Sequence, residues 1–67
     1  MEEARQEALN LLTAKLTTPI NLWIAFYGVG GSADALELEG YIYGLIPVSE
    51  TDAQLLSDAL LFLAEQL

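Results

Sequence analysis

The sequence predicts an α+β domain of order α-β-β-α, an antiparallel β-hairpin packed with two helices and assembled as a homodimer. Three observations carry that reading. Apolar residues recur at helical spacing near both ends of the chain. Between them, two central runs alternate along the chain and are rich in β-branched and aromatic side chains. A glycine cluster within residues 28–31 separates these runs where a turn is needed.

Residues 2–16 read as the first helix, with Ala4, Ala8, Leu9, Leu11, Leu12 and Leu16 on one stripe and Gln6, Glu7 and Asn10 opposite. Glu2 and Glu3 suit the positive end of the helix dipole, and Lys15 suits the negative end. Thr17-Thr18-Pro19 ends it, because the residue before a proline is pushed out of the α region.

Residues 20–29 read as the first strand. Ile20, Leu22, Ile24 and Phe26 point one way; Asn21, Trp23, Ala25 and Tyr27 point the other. A short helix is the alternative here, with Thr18 as N-cap and Pro19 in its first turn. Residues 35–48 read as the second strand. Leu36, Leu38, Ile42 and Ile46 share a face with Gly40 and Gly44, while Glu37, Glu39, Tyr41, Tyr43 and Leu45 take the other. Both apolar sets fall on even positions, so they share a hairpin face only across a loop of odd length, residues 31–33 or 30–34. Pro47 ends the strand, since it cannot donate to a ladder. The rival is a short helix over residues 33–39 with Gly40 as its C-cap.

Residues 49–67 close the chain as a second helix. Ser49 is the N-cap and Asp52 its capping-box partner, with Glu50 and Asp52 at the favourable end of the dipole. Ala53, Leu56, Ala59, Leu60, Leu63, Ala64 and Leu67 form the core stripe, which Leu55 and Phe62 widen. Without repeat, linker or low-complexity tract, residues 1–67 make one domain.

Composition narrows the function. The 67 residues include no cysteine and no histidine, which excludes disulfides, thiolate metal sites and the usual general base at neutral pH. Hydrophobic residues make up 54% of the chain, above the usual share of about 45–50%. A small chain with surplus apolar residues and no covalent staple stabilises itself most simply by self-association. Net charge is −8, and both bases, Arg5 and Lys15, lie in the first segment. Direct binding of nucleic acid or of an anionic membrane surface is therefore not expected. The acidic start and the short, glycine-broken apolar runs predict neither a signal peptide nor a membrane span, hence a soluble, cytoplasmic protein.

Gly28-x-Gly30-x-x-Ala33 has the spacing of a phosphate-cradling loop, but no substantial helix and parallel strand follow, and Asp34, Glu37 and Glu39 would repel an anion. It reads as a hairpin tip. No catalytic residue, cofactor or metal site is predicted. The predicted interface is aromatic: Trp23, Tyr27, Tyr41 and Tyr43 on the odd face of the hairpin, with Leu55 and Phe62 from the last helix. Burial of that face under one of the two helices is the alternative. Glu37 and Glu39, side by side on one strand, form an acidic patch. These features predict a non-enzymatic, self-associating interaction module, an adaptor or regulatory subunit with a possible protein partner. The alternative is an acidic inhibitor of the phage counter-defence type, mimicking nucleic acid to block a basic nucleic-acid-binding protein.

Overall fold

Capping chemistry, more than the alternation of side chains, decides what the two central runs become. In a computed structural model that describes residues 2–66, the chain folds as four helices: α1 (Glu2–Thr13), α2 (Pro19–Gly28), α3 (Ala35–Ile42) and α4 (Glu50–Gln66). There is no strand among the described residues, so the α+β hairpin is corrected to an all-helical fold.

Both predicted strands start with a helix N-cap. Thr18 is extended and its side-chain oxygen accepts from the Asn21 amide at 3.2 Å, with Pro19 in the first turn. Asp34 and Glu37 form a complete capping box: the Glu37 amide donates to Asp34 Oδ1 at 2.8 Å, and the Asp34 amide donates to Glu37 Oε1 at 3.0 Å. Each cap is worth about 1 kcal/mol, comparable to the whole span of strand propensities at one position. A helix also satisfies its own backbone, whereas an isolated hairpin leaves two open edges.

The glycines end these helices. After α2, the Gly30 amide donates to Tyr27 O at 3.0 Å and the Gly31 amide to Phe26 O at 3.0 Å, with Gly30 at φ 102°. After α3, the Gly44 amide donates to Tyr41 O at 2.9 Å and the Leu45 amide to Gly40 O at 2.8 Å, with Gly44 at φ 80°. Both are Schellman motifs with glycine in the left-handed position. Gly28 to Gly31 is thus a helix stop rather than a hairpin tip, and α3 runs past Gly40, its expected C-cap.

α1 ends in the same motif, Lys15 to Leu12 O at 3.1 Å and Leu16 to Leu11 O at 3.0 Å, but Lys15 holds the left-handed position at φ 61°. A side chain there costs roughly 1–2 kcal/mol relative to glycine, partly offset by its ammonium near the negative end of α1. Lys15→Gly is expected to stabilise the fold by about 0.5–1 kcal/mol, read as a rise of a few degrees in the thermal midpoint. A lower midpoint would mean that the motif does not form.

α4 packs against α1 and α2, and α3 packs against the same two helices. Phe26, Leu22, Ile42 and Leu56 are fully buried between them. The buried positions of α1 are the alanines Ala4 and Ala8, short enough for neighbouring helices to approach closely. Burial follows a helical period throughout: Leu22, Ala25 and Phe26 in α2, Leu38 and Ile42 in α3. Leu9, Leu11, Leu12 and Leu63 are half-buried, whereas Leu16, beyond the end of α1, and Ala64 are exposed. Leu67 lies outside the described residues, as does the side chain of Glu2.

Polar contacts among the described residues also join the elements. Arg5 Nη1 donates to Ile42 O at 3.2 Å, placing a cation at the negative end of α3. Asp52 is buried, and instead of returning to Ser49 its carboxylate accepts from the Ser32 amide at 3.0 Å and from Ser32 Oγ at 3.1 and 2.9 Å. Ser49 Oγ still accepts from the Asp52 amide at 3.0 Å, so half of the expected capping box forms. No helix among the described residues is long and apolar enough to cross a membrane.

Candidate functional site

The surface area, 4249 Å², is close to the roughly 4200 Å² expected for a folded chain of 7.3 kDa. Apolar exposure is therefore not a product of loose packing. Some of it lies on α3 and the turn after it, at Leu36, Tyr43, Leu45 and Ile46, and some on α2, which carries no charged residue and, apart from Asn21, no aliphatic polar side chain. Its core side is Leu22, Ala25 and Phe26. Ile20, Ile24 and Tyr27, at i, i+4 and i+7, point the opposite way and are 56%, 57% and 64% exposed. A helix that is apolar all round belongs in an interior.

A groove of about 710 Å³ runs beside this stripe, between the end of α1, α2 and the last turns of α4. Leu11, Leu16, Ile24, Val29, Phe62 and Leu63 supply its apolar walls. Thr17, Asn21 and Gln66 give it a polar, uncharged edge. No charged side chain among the described residues lines it, although the chain carries a net charge of −8.

The residues expected to form one aromatic face are dispersed by the helical fold. Trp23 and Tyr27, four apart on α2, stack with ring centroids 5.3 Å apart. Trp23 is half-buried, and its indole nitrogen donates to Ala33 O at 3.0 Å, pinning the loop after α2. Tyr41 is half-buried and lines a smaller cleft with Arg5 and Pro47. Tyr43 is exposed at the end of α3, and Leu55 lies beside Glu50 and Gln54 on α4. Phe62 lines the apolar groove. The hairpin face that would have united Trp23, Tyr27, Tyr41 and Tyr43 does not form among the described residues.

Glu37 and Glu39 also part company. Two residues on a helix are about 200° apart, so they do not share a face, and the Glu37 carboxylate caps α3. Among the described residues, no group of three or more carboxylates is placed to hold a metal ion. The Ser32 hydroxyl and the Asp52 carboxylate bind each other, tying the loop after α2 to the start of α4.

No protein family, curated protein or solved structure matches this chain. The alternation of residues 20–29 groups the exposed Ile20 and Ile24 with the buried Leu22 and Phe26, so the groove is not visible in it. One signal was available: ten consecutive residues, 19–28, without a charge and with a single aliphatic polar side chain.

Proposed function

We propose that this chain is a non-enzymatic protein–protein interaction module, of the adaptor or regulatory-subunit kind, which receives an apolar helix along α2 and its groove. The observation that carries the reading is α2 itself, apolar on every side but covered by the core on one. Helix-in-groove docking is the recognition mode such a surface suits. The absence of histidine and cysteine from the sequence fits a role in binding rather than chemistry.

The groove has the volume of a small-ligand site, about 300–1,000 Å³, but its apolar surface does not stop at the rim. Ile20 and Tyr27 lie outside the lining and remain exposed when only the groove is filled. A polypeptide covers both. A photo-crosslinking side chain at Asn21, on the rim, is therefore expected to give polypeptide adducts in extracts of cells expressing the chain. The same group at Gln54, on the charged side of α4, is not. Adding Ile24→Asp should abolish the adducts. Equal labelling from both positions, or labelling that survives Ile24→Asp, would count against the reading.

A further inference from the structure

We propose that the helix received on this face is α2 of a second copy, antiparallel across a two-fold axis through Ile24; this rests on the docking reading above. Three features of the surface fit a copy of itself better than a foreign chain.

The first is charge. Two chains of net charge −8 repel, and they can meet closely only where neither presents a carboxylate. The outer face of α2 and the groove beside it are such a surface. A basic partner would gain nothing from this face.

The second is shape. Ile20, Ile24 and Gly28 succeed one another every fourth residue and so form one ridge along α2. The ridge is tall at Ile20 and flat at Gly28, whose missing side chain would meet nothing within 4 Å. A two-fold axis at Ile24 sets Ile20 of each copy over Gly28 of the other and Ile24 against its own equivalent. At a crossing angle of about −50° ridges of this kind run parallel to one another, so the tall end of each lies over the flat end of the other. A self-complementary profile is what an isologous interface requires.

The third is extent. A standard interface covers roughly 800 Å² per partner, close to a fifth of the 4249 Å² surface. Leu16, Ile20, Ile24, Tyr27 and Phe62 each leave about half of their surface or more to solvent. With Gly28 beside them they give an apolar patch on the order of several hundred Å², the size of the largest patch on a typical monomer, which is often a functional one.

Sedimentation equilibrium on the full chain is expected to give twice the 7.3 kDa chain mass at micromolar concentration. Ile24→Asp places two carboxylates against each other on the axis and should weaken the dimer about 100-fold or more, with helicity at 222 nm retained. Leu45→Asp, at a 78% exposed apolar position away from α2, should leave the mass unchanged. Should Ile24→Asp fail to fold, Ile24→Cys replaces it: the chain has no other cysteine, and oxidation should link two copies quickly through position 24. Leu45→Cys should not link. A single-chain mass at 100 µM, a dimer indifferent to Ile24→Asp, or equal cross-linking from positions 24 and 45 would overturn the inference. A monomer that still gives adducts from position 21 with another polypeptide defeats the second copy and spares the docking reading. A monomer without such adducts defeats both.

Discussion

Gly31→Ala is expected to destabilise the fold by about 3 kcal/mol, the upper range for overpacking a core. Gly31 is buried, and its amide closes the Schellman motif on Phe26 O at 3.0 Å. A methyl group there would fall on the Phe26 ring, well inside van der Waals contact with three of its carbons. Phe26 is fully buried, so its ring cannot swing away without opening the core that it shares with Leu22, Ile42 and Leu56. Single cores in chains of this length supply only about 3–5 kcal/mol, so most of that stability would be lost. Urea unfolding followed at 222 nm measures it. Gly30→Ala is the control, because nothing stands near its added carbon and only the φ of 102° resists it. Its cost should be nearer 1–2 kcal/mol. Phe26→Leu combined with Gly31→Ala should cost less than the sum of the two, by 1 kcal/mol or more, since the smaller side chain leaves room for the methyl. Strict additivity would show that the ring and residue 31 do not touch.

The two end helices were legible because every signal agreed. In α4, Ser49 at the cap, acids in the first turn, and Ala53, Leu56, Ala59 and Leu60 on one side all specify one helix, and those four are its buried apolar residues. α1 was nearly as clear, although it stops at Thr13 and leaves Leu16 outside. The central runs were ambiguous for a definite reason. A periodicity can be read only where polar residues mark the wet side, and in residues 19–28 there is little to mark it. Ile20, Leu22, Ile24 and Phe26 satisfy a period of two, while Leu22, Ala25 and Phe26 satisfy a helix equally well. The deciding information lies at the ends of the run, in Thr18-Pro19, which also suits the stop of the first helix, and in Gly30, which also suits a hairpin tip. In α3, Leu36 joined the apolar alternation yet is 77% exposed, whereas Leu38 and Ile42, four apart, are buried. Asp34-x-x-Glu37 carries the signature of a capping box, which the hairpin reading divides between a loop residue and an acidic patch.

This ambiguity bears on the site. The apolar excess that hides the period of α2 is the same excess that leaves Ile20, Ile24 and Tyr27 uncovered. Tyr27, on α2 itself, does reach its exposed face, and Phe62, on α4, lines the groove beside it. Trp23, by contrast, is held by Ala33 and serves the loop rather than the surface.

The same loop is tied to α4 by Ser32. Ser32→Ala changes an exposed side chain, and exposed substitutions are usually neutral to within about 0.5 kcal/mol. Here a cost of about 2 kcal/mol is expected, in the range for hydrogen bonds to a charged group. Ser32 Oγ contacts both oxygens of Asp52, whose carboxylate is buried at the first turn of α4. Without the hydroxyl, that carboxylate keeps only the Ser32 amide at 3.0 Å. Asp52→Ala should cost about 2–3 kcal/mol, because it frees the loop from α4 and removes a negative charge from the helix N-terminus. Asp52→Asn should fall between wild type and Asp52→Ala, since an amide can accept from the Ser32 amide and donate to Oγ. Ser32→Ala combined with Asp52→Ala should cost little more than Asp52→Ala alone, because the second change removes what the first left unpaired. The four variants, compared by chemical unfolding at concentrations that hold oligomeric state constant, separate a working staple from a passing contact. A Ser32→Ala chain as stable as wild type would mean that α4 and the loop after α2 are joined by packing alone.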